Sequence, residues 1–285
     1  MVELINHAEL NLWGFDIPVR LLSAEQAIYL ESLPKVRPPV SWVWHEMDRV
    51  WSQIESDFSD GEGREAVLSR YYSHPVWILN GVFTATDPES IGHRRAIADF
   101  AATCAPGVVI DYGGGFGELA RAIASRLPNS TIRIVEPYPS SIGSAAVEAV
   151  ENIRYSPALD VACDLLIAQD VLEHVENPID LAVRMASVTR AGGYLIFANC
   201  FWPVIKCHLP DTFYLRYTFR FVMRGLGLEF VGIVPGAPHA EIYRRPEVLR
   251  PGRCRFRNRV SSVVGGAISR TEDGLRQLLR SLRER

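Results

Sequence analysis

The hydrophobic and polar positions of this chain follow two patterns that meet near residue 87. Up to residue 86 they predict helices and loops without strand alternation. One helix opens at Ser23, with Gln26 three residues later in the spacing of a capping box. The next helix is expected to place these apolar side chains on one face: Val43, Met47, Val50, Trp51, Ile54 and Phe58.

From residue 87 onward, amphipathic helices alternate with short apolar runs. Asp87 and Pro88 predict the start of the first of these helices, because proline suits the first helical position. The apolar runs lie at 108–111, 131–136, 152–156, 164–169 and 193–199. Runs of this kind are typical of parallel strands covered on both faces. The pattern therefore predicts a doubly wound α/β domain with a mainly parallel sheet.

The last two predicted strands, 228–235 and 239–245, are separated by only three residues. A link this short cannot carry the crossover that parallel strands require. We therefore expect the sheet to end in an antiparallel hairpin.

The composition indicates a globular protein. With 285 residues and 48% hydrophobic content, the chain can bury a full core. Its five cysteines are an odd number and lack CxxC spacing. The sequence also starts without the charged and then apolar pattern of a secretory leader. The most apolar stretch, residues 193–205, is shorter than the ~20 residues that a membrane-spanning helix needs. We therefore expect a cytoplasmic protein with its cysteines as thiols.

The stretch VVIDYGGGFGELA, residues 108–120, is the most informative motif. A dinucleotide-binding GxGxxG would need glycine at position 118, which is Glu118, and a phosphate-binding P-loop would need a lysine that this stretch lacks. Gly113, Gly115 and Gly117 remain, at a spacing of two, after Asp111. Glycines let a ligand approach the backbone, and the carboxylate favours a ligand that carries positive charge.

Four segments in order give the chain from about 107 to 245 a resemblance to the class I S-adenosylmethionine-dependent methyltransferases. VVIDYGGGFGELA resembles their first motif, IVEP the acidic second, DLLIAQDVLEHVENP the fourth, and RAGGYLIFAN the turn and fifth strand. The resemblance implies a seven-stranded sheet whose final strand is antiparallel, with S-adenosylmethionine as the cofactor. A nicotinamide-dependent oxidoreductase is disfavoured by Glu118.

The same resemblance implies a set of cofactor-binding residues. The glycine loop would approach the methionine part, and Glu136 would accept hydrogen bonds from both ribose hydroxyls. The short loop 157–163 leaves Asp160 as a weak candidate for the acid that contacts adenine in this family. The full set is Asp111, Tyr112, Gly113, Gly114, Gly115, Glu136, Pro137, Asp170 and Val171.

Methyl transfer from a sulfonium needs alignment and, for a hydroxyl acceptor, removal of a proton, and it requires no metal. His174 and His208 are the candidate bases, with His208 preferred; a structural role is the alternative for each. Phe201 and Trp202 offer stacking faces beside His208, and hydrogen-bond donors come from Lys206, Tyr214 and Arg216. We expect O-methylation of a sugar or other small hydroxylated acceptor. An N- or C-methyltransferase, or a non-catalytic assembly module with this fold, is the alternative.

Three regions follow from these patterns. Residues 1–86 are expected to form a helical cap over the acceptor, and residues 87–249 the cofactor-binding domain. Residues 250–285 form a tail with ten arginines against three acidic residues, in a chain whose net charge is −3. Its end predicts a short amphipathic helix with a stripe of Leu275, Leu278, Leu279 and Leu282. This tail could dock on its own chain, or on another subunit, an anionic membrane surface or an acidic partner; nucleic acid is disfavoured because the other 249 residues are acidic.

Overall fold

The structure is a computed structural model that describes residues 9–57 and 64–283. The strands assigned within these residues are β1 Glu9–Leu12, β2 Phe15–Pro18, β3 Val108–Tyr112, β4 Thr131–Val135, β5 Ile153–Ser156, β6 Cys163–Gln169, β7 Thr189–Ala198, β8 Glu229–Val234 and β9 Ala237–Arg244. The helices are α1 Ala24–Glu31, α2 Val40–Asp57, α3 Arg64–Tyr72, α4 Val76–Thr86, α5 Pro88–Cys104, α6 Glu118–Ala124, α7 Ser141–Glu148, α8 Pro178–Val188, α9 Leu215–Leu226 and α10 Pro251–Arg283.

The main sheet has seven strands in the order β5-β4-β3-β6-β7-β9-β8. The pairs β3–β4, β4–β5 and β6–β7 are parallel, and β7–β9 is antiparallel. Only Pro235 and Gly236 connect β8 to its neighbour β9, so this pair is a hairpin. The expected α/β fold with a final antiparallel strand is confirmed.

The first of two compact units comprises Met1–Ala158, Val204–Cys207 and Pro235–Ala237. Its hydrophobic core joins side chains of the N-terminal helices to Phe116 and Ile142. The capping box at Ser23 is present, and Phe58 lies outside the described residues. The predicted apolar face of α2 is buried at Val43, Met47, Val50, Trp51 and Ile54.

The second unit comprises Leu159–Pro203, His208–Val234 and Pro238–Arg285. Its core includes the Phe197 ring, whose centroid lies 5.4 Å from that of Phe219 and 5.9 Å from that of Tyr243. Helix α8 begins at Pro178, because the fixed φ of proline suits the first helical position. All five cysteines of the chain are thiols.

The expectation that residues up to 86 contain only helices and loops is wrong at β1 and β2. These strands form an antiparallel hairpin in which Leu12 pairs with Phe15. Trp13 and Gly14 form the turn with φ values of 54° and 86°. Positive φ at both central residues matches the right-handed twist of a hairpin, and Gly14 adopts it at no steric cost.

The tail also differs from the short helix that the sequence predicted. Helix α10 begins at Pro251 and continues to Arg283, so both parts of the tail belong to one helix. The structure does not describe the side chains of the predicted leucine stripe, which are those of Leu275, Leu278, Leu279 and Leu282. Among the described residues, no helix combines the length and the apolar composition that crossing a bilayer requires.

Candidate functional site

The glycine loop follows the end of β3 and leads into α6. Gly113, Gly115 and Gly117 have φ values of 72°, 51° and 76°, a conformation that side chains rarely adopt. The Gly117 N–H donates to the Gly114 carbonyl over 2.8 Å, which closes the turn before α6. Spacing-two glycines therefore supply the backbone shape of this loop.

Asp111 lies directly beneath the loop and is 2% exposed. A Cβ on Gly114 would lie 2.7 Å from the Asp111 Oδ2 atom, so a side chain there would collide with the carboxyl group. Oδ2 is buried and has no hydrogen-bond partner among residues 9–57 and 64–283. Burial, and next the charge of Glu136, raise the pKa of Asp111 to about 7. A cationic ligand nearby would favour the ionised form.

Glu136 follows β4 and holds the loop from the other side. Its Oε2 accepts from the Gly115 N–H and its Oε1 accepts from the Tyr138 N–H, each over 3.1 Å. The Tyr155 hydroxyl donates to the Gly115 carbonyl over 2.6 Å. A carboxylate has about four acceptor positions, so Glu136 can also receive a vicinal diol.

Aromatic rings of the N-terminal helices reach this part of the first unit. Tyr72 of α3 stacks on Tyr138, with ring centroids 5.5 Å apart and an interplanar angle of 18°. The rings of Phe15 and Phe116 lie 5.9 Å apart. The Ser141 hydroxyl donates to the Leu21 carbonyl over 2.5 Å. The sequence did not identify Tyr72 or Tyr155, because nothing in their local pattern separates them from packing aromatics.

Asp170 and Val171 follow β6 in the second unit. Asp170 has a φ of 52°, which is unfavourable for a side-chain-bearing residue, and its N–H donates to the Ala198 carbonyl over 2.7 Å. Val171 is buried at 9% exposure. Strained backbone of this kind clusters at ligand sites. The backbone geometry of Asp170, as well as its place in the fourth motif, therefore supports it as a candidate cofactor-binding residue.

His174 and His208 meet in the second unit although 33 residues separate them in the sequence. Their ring centroids are 4.8 Å apart, with an interplanar angle of 82°. His208 is buried, and its Nδ1 lies 2.7 Å from the Trp202 carbonyl. Because a carbonyl only accepts, Nδ1 must carry the proton, which makes Nε2 the basic nitrogen of the neutral ring.

Glu173 is fully buried beside this pair. Its Oε1 accepts from the Cys200 N–H over 2.7 Å, and its backbone carbonyl accepts from the Leu209 N–H over 2.8 Å. Burial, and next the charge of Asp170, raise the pKa of Glu173 to about 8. Glu173 thus joins the segments that carry the two histidines.

Glu173, His174 and His208 also place one potential ligand atom each within 4.8 Å of one another. Carboxylate and imidazole groups are ligands that zinc and iron accept, so this donor set could hold such an ion. The expectation that the reaction requires no metal stays a prediction.

The expected acceptor-binding side chains have partners of their own. Phe201 is buried and packs on Phe219, with ring centroids 5.6 Å apart. The Arg216 guanidinium lies 4.4 Å from the Trp202 ring centroid. In the first unit, the Lys206 ammonium donates to the Ser52 hydroxyl over 2.5 Å. The Tyr214 hydroxyl donates to Asn258 over 2.6 Å. Trp202 is therefore the half-buried aromatic face beside His208.

Residues 90–203 match the model of a family described as a methyltransferase domain. An uncharacterised methyltransferase of Mycobacterium sp. (strain JLS) is 35% identical over 100 residues, covering 33% of this chain and 39% of that protein. One from Mycobacterium leprae (strain TN) is 30% identical over 105 residues, covering 33% and 38%. The chain thus spans about two fifths of the length of the curated relatives it matches. Among solved structures, an O-methyltransferase family protein from Burkholderia thailandensis is 13% identical, with a TM-score of 0.48 and coverage of 86% and 81%.

Proposed function

We propose that this chain, whose residues 90–203 form a methyltransferase domain of the class I S-adenosylmethionine-dependent type, methylates an oxygen atom of a sugar or another small hydroxylated acceptor. The observation that carries this proposal is the contact between His174 and His208 beside the buried Glu173. A neutral imidazole is the side chain best suited to accept a hydroxyl proton near neutral pH.

The residues of the first unit fit S-adenosylmethionine. The cofactor carries two positively charged groups, an ammonium and a sulfonium. Asp111 can offset positive charge, because it is a buried carboxyl group whose Oδ2 atom has no hydrogen-bond partner among the described residues. The cofactor also carries a ribose diol, for which Glu136 has acceptor positions beyond its two backbone contacts. When bound, it supplies an electrophilic methyl group. The loop residues Tyr112, Gly113, Gly114 and Gly115, together with Pro137, complete the part of the proposed cofactor site that lies in the first unit. Asp170 and Val171 of the second unit stay predictions from the sequence resemblance.

The second unit supplies the proton acceptor. An aliphatic hydroxyl is too weakly acidic to ionise beforehand, so its proton leaves as the methyl group arrives. The Trp202 carbonyl fixes the His208 tautomer and thereby presents Nε2 as the base. Glu173 acts as a positioning residue, because its carboxyl group is bound to the backbone and buried. His174, half-buried against His208, is the second candidate base.

The proposal is tested by measuring methyl uptake from labelled S-adenosylmethionine on sugars, sugar nucleotides, glycans and phenols. On the acceptor found, His208→Ala should lower kcat roughly 10²-fold, the usual size of general-base catalysis, with unchanged cofactor affinity. His174→Ala is compared under the same conditions. His45→Ala, an exposed histidine of α2, is the matched control and should retain full turnover.

Other outcomes separate the alternatives. Loss of turnover in His174→Ala but not in His208→Ala would move the base to His174. Methylation confined to nitrogen or carbon would reject the oxygen assignment and keep the enzyme class. Cofactor binding without turnover on any acceptor would indicate the non-catalytic module.

A further inference from the structure

Helix α10 presents two faces of different character within the second unit. One face is docked: Cys254 is fully buried, Ser261 is 2% exposed, and Asn258 accepts from the Tyr214 hydroxyl. A Cβ on Gly265 would lie 3.0 Å from the Tyr214 carbonyl, so the helix backbone approaches this segment closely. The first half of α10 is thus held against its own chain.

The opposite face of α10 is apolar and exposed. At 100° per residue, five positions fall within an arc of about 100° that lies opposite Cys254. Val263 is 71% exposed and Phe256 is 65% exposed, although both side chains are strongly apolar. The five residues, here called the outer stripe, are Phe256, Val260, Val263, Val264 and Ala267.

Arginines border the outer stripe. Arg253 and Arg259 are exposed; on the helical wheel Arg259 lies outside one edge of the stripe, and Arg253 falls within its arc, about one turn before Phe256. Two other arginines of α10 contact side chains of the same unit. Arg255 forms an ion pair with Asp180 over 2.9 Å, and the Arg257 guanidinium lies 4.4 Å from the Phe221 ring centroid. An apolar stripe flanked by arginines is the pattern of a helix that lies in a membrane interface, with cations at the level of the lipid phosphates.

We propose that the outer stripe of α10 docks the protein on the surface of an anionic bilayer, with the helix axis parallel to the membrane plane. A nucleic acid would pair with the arginines but leave the stripe in water. A second copy of α10 would cover the stripe but bring arginines against arginines. An anionic lipid surface matches the apolar side chains and the flanking cations together.

The test is sedimentation of the full chain with vesicles of phosphatidylcholine alone and of phosphatidylcholine with 30% phosphatidylglycerol. The protein should bind the anionic vesicles, and binding should weaken as salt is raised, because surface attraction is screened. Val263→Asp should lower vesicle affinity roughly tenfold or more, because it places a charge on the most exposed valine of the stripe. Ser262→Asp is the matched control: it adds the same charge at a neighbouring exposed position outside the stripe.

The result expected is a large loss in Val263→Asp and a small one in Ser262→Asp, with S-adenosylhomocysteine binding unchanged in both. Equal losses in the two variants would show attraction by charge alone and would overturn insertion of the stripe. No binding of the unmodified chain to anionic vesicles at low salt would overturn the proposal. So would self-association that Val263→Asp abolishes in the absence of lipid binding, since the occupant would then be a second copy.

Discussion

Two buried carboxyl groups, Asp111 in the first unit and Glu173 in the second, look alike until their surroundings are compared. Both are at most 2% exposed, and each has one carboxyl oxygen that finds no hydrogen-bond partner in the part of the chain that the structure describes. Burial raises the pKa of Asp111 to about 7 and that of Glu173 to about 8. By exposure and pKa alone, the two residues would receive the same role.

Their partners differ. The charge that most raises the pKa of Asp111 is that of Glu136, which itself holds the glycine loop. Two carboxyl groups beside glycines leave a negative region that suits a cation. Glu173 instead accepts from the Cys200 N–H, which ties the loop after β6 to the segment after β7. A buried acid is therefore a ligand group or a framework group according to what its oxygens contact.

The framework role predicts a loss of stability when Glu173 is shortened. Glu173→Ala leaves the half-buried Cys200 N–H without its acceptor and shortens a fully buried side chain, which should lower the free energy of unfolding near pH 4 by about 2 kcal/mol. Glu173→Gln keeps an acceptor oxygen and should stay within about 0.5 kcal/mol of the unmodified protein near pH 4, where Glu173 is protonated. Urea unfolding measures both.

The exposed Glu247→Ala is the control and should be neutral. The raised pKa means that the fold favours protonated Glu173, so its contribution to stability is full near pH 4 and is lost as the pH rises towards 8. Glu173→Gln should therefore flatten the decline in stability across this window. An unchanged unfolding free energy in Glu173→Ala would reject the framework role.

The ligand role predicts that cofactor affinity depends on the ionisation of Asp111. Its pKa of about 7 leaves the group mostly protonated at pH 6 and mostly ionised at pH 8. Because the ionised form attracts the cationic ligand, the Kd of S-adenosylmethionine should fall by up to roughly tenfold from pH 6 to pH 8. Asp111→Asn should bind weakly and without this slope. The same slope in Asp111→Asn would assign the titration to another group.

The sequence predicted the sheet and indicated the unusual backbone of the glycine loop, because both depend on local signals. Unpatterned apolar runs between amphipathic helices, such as 164–169, are typical of strands covered on both faces. Gly113, Gly115 and Gly117 mark positive φ directly, and Glu136 follows its strand at once. These features depend only on residues that are close in the chain, so the spacing of the residues indicates them.

The remainder depends on tertiary contacts. The stacking of Tyr72 on Tyr138 joins α3 to the segment after β4, and the pairing of His174 with His208 joins two distant segments. No periodicity in the sequence predicts such contacts between distant segments. The sequence offered Glu173 as an alternative carboxylate base and gave no sign of a framework role, because its burial and its bond to Cys200 exist only in the fold. The β1–β2 hairpin was missed because its signal is one glycine between two four-residue strands.

The central claim, that the glycine loop and Glu136 bind S-adenosylmethionine, is tested most directly by titration calorimetry with S-adenosylhomocysteine. The unmodified protein should bind with micromolar affinity, and Glu136→Ala should weaken binding roughly tenfold or more, because two ribose hydroxyls lose a charged acceptor. Glu148→Ala, an exposed acid on α7 of the same unit, should bind normally. No binding by the folded, unmodified protein, or equal binding by Glu136→Ala, would contradict the claim.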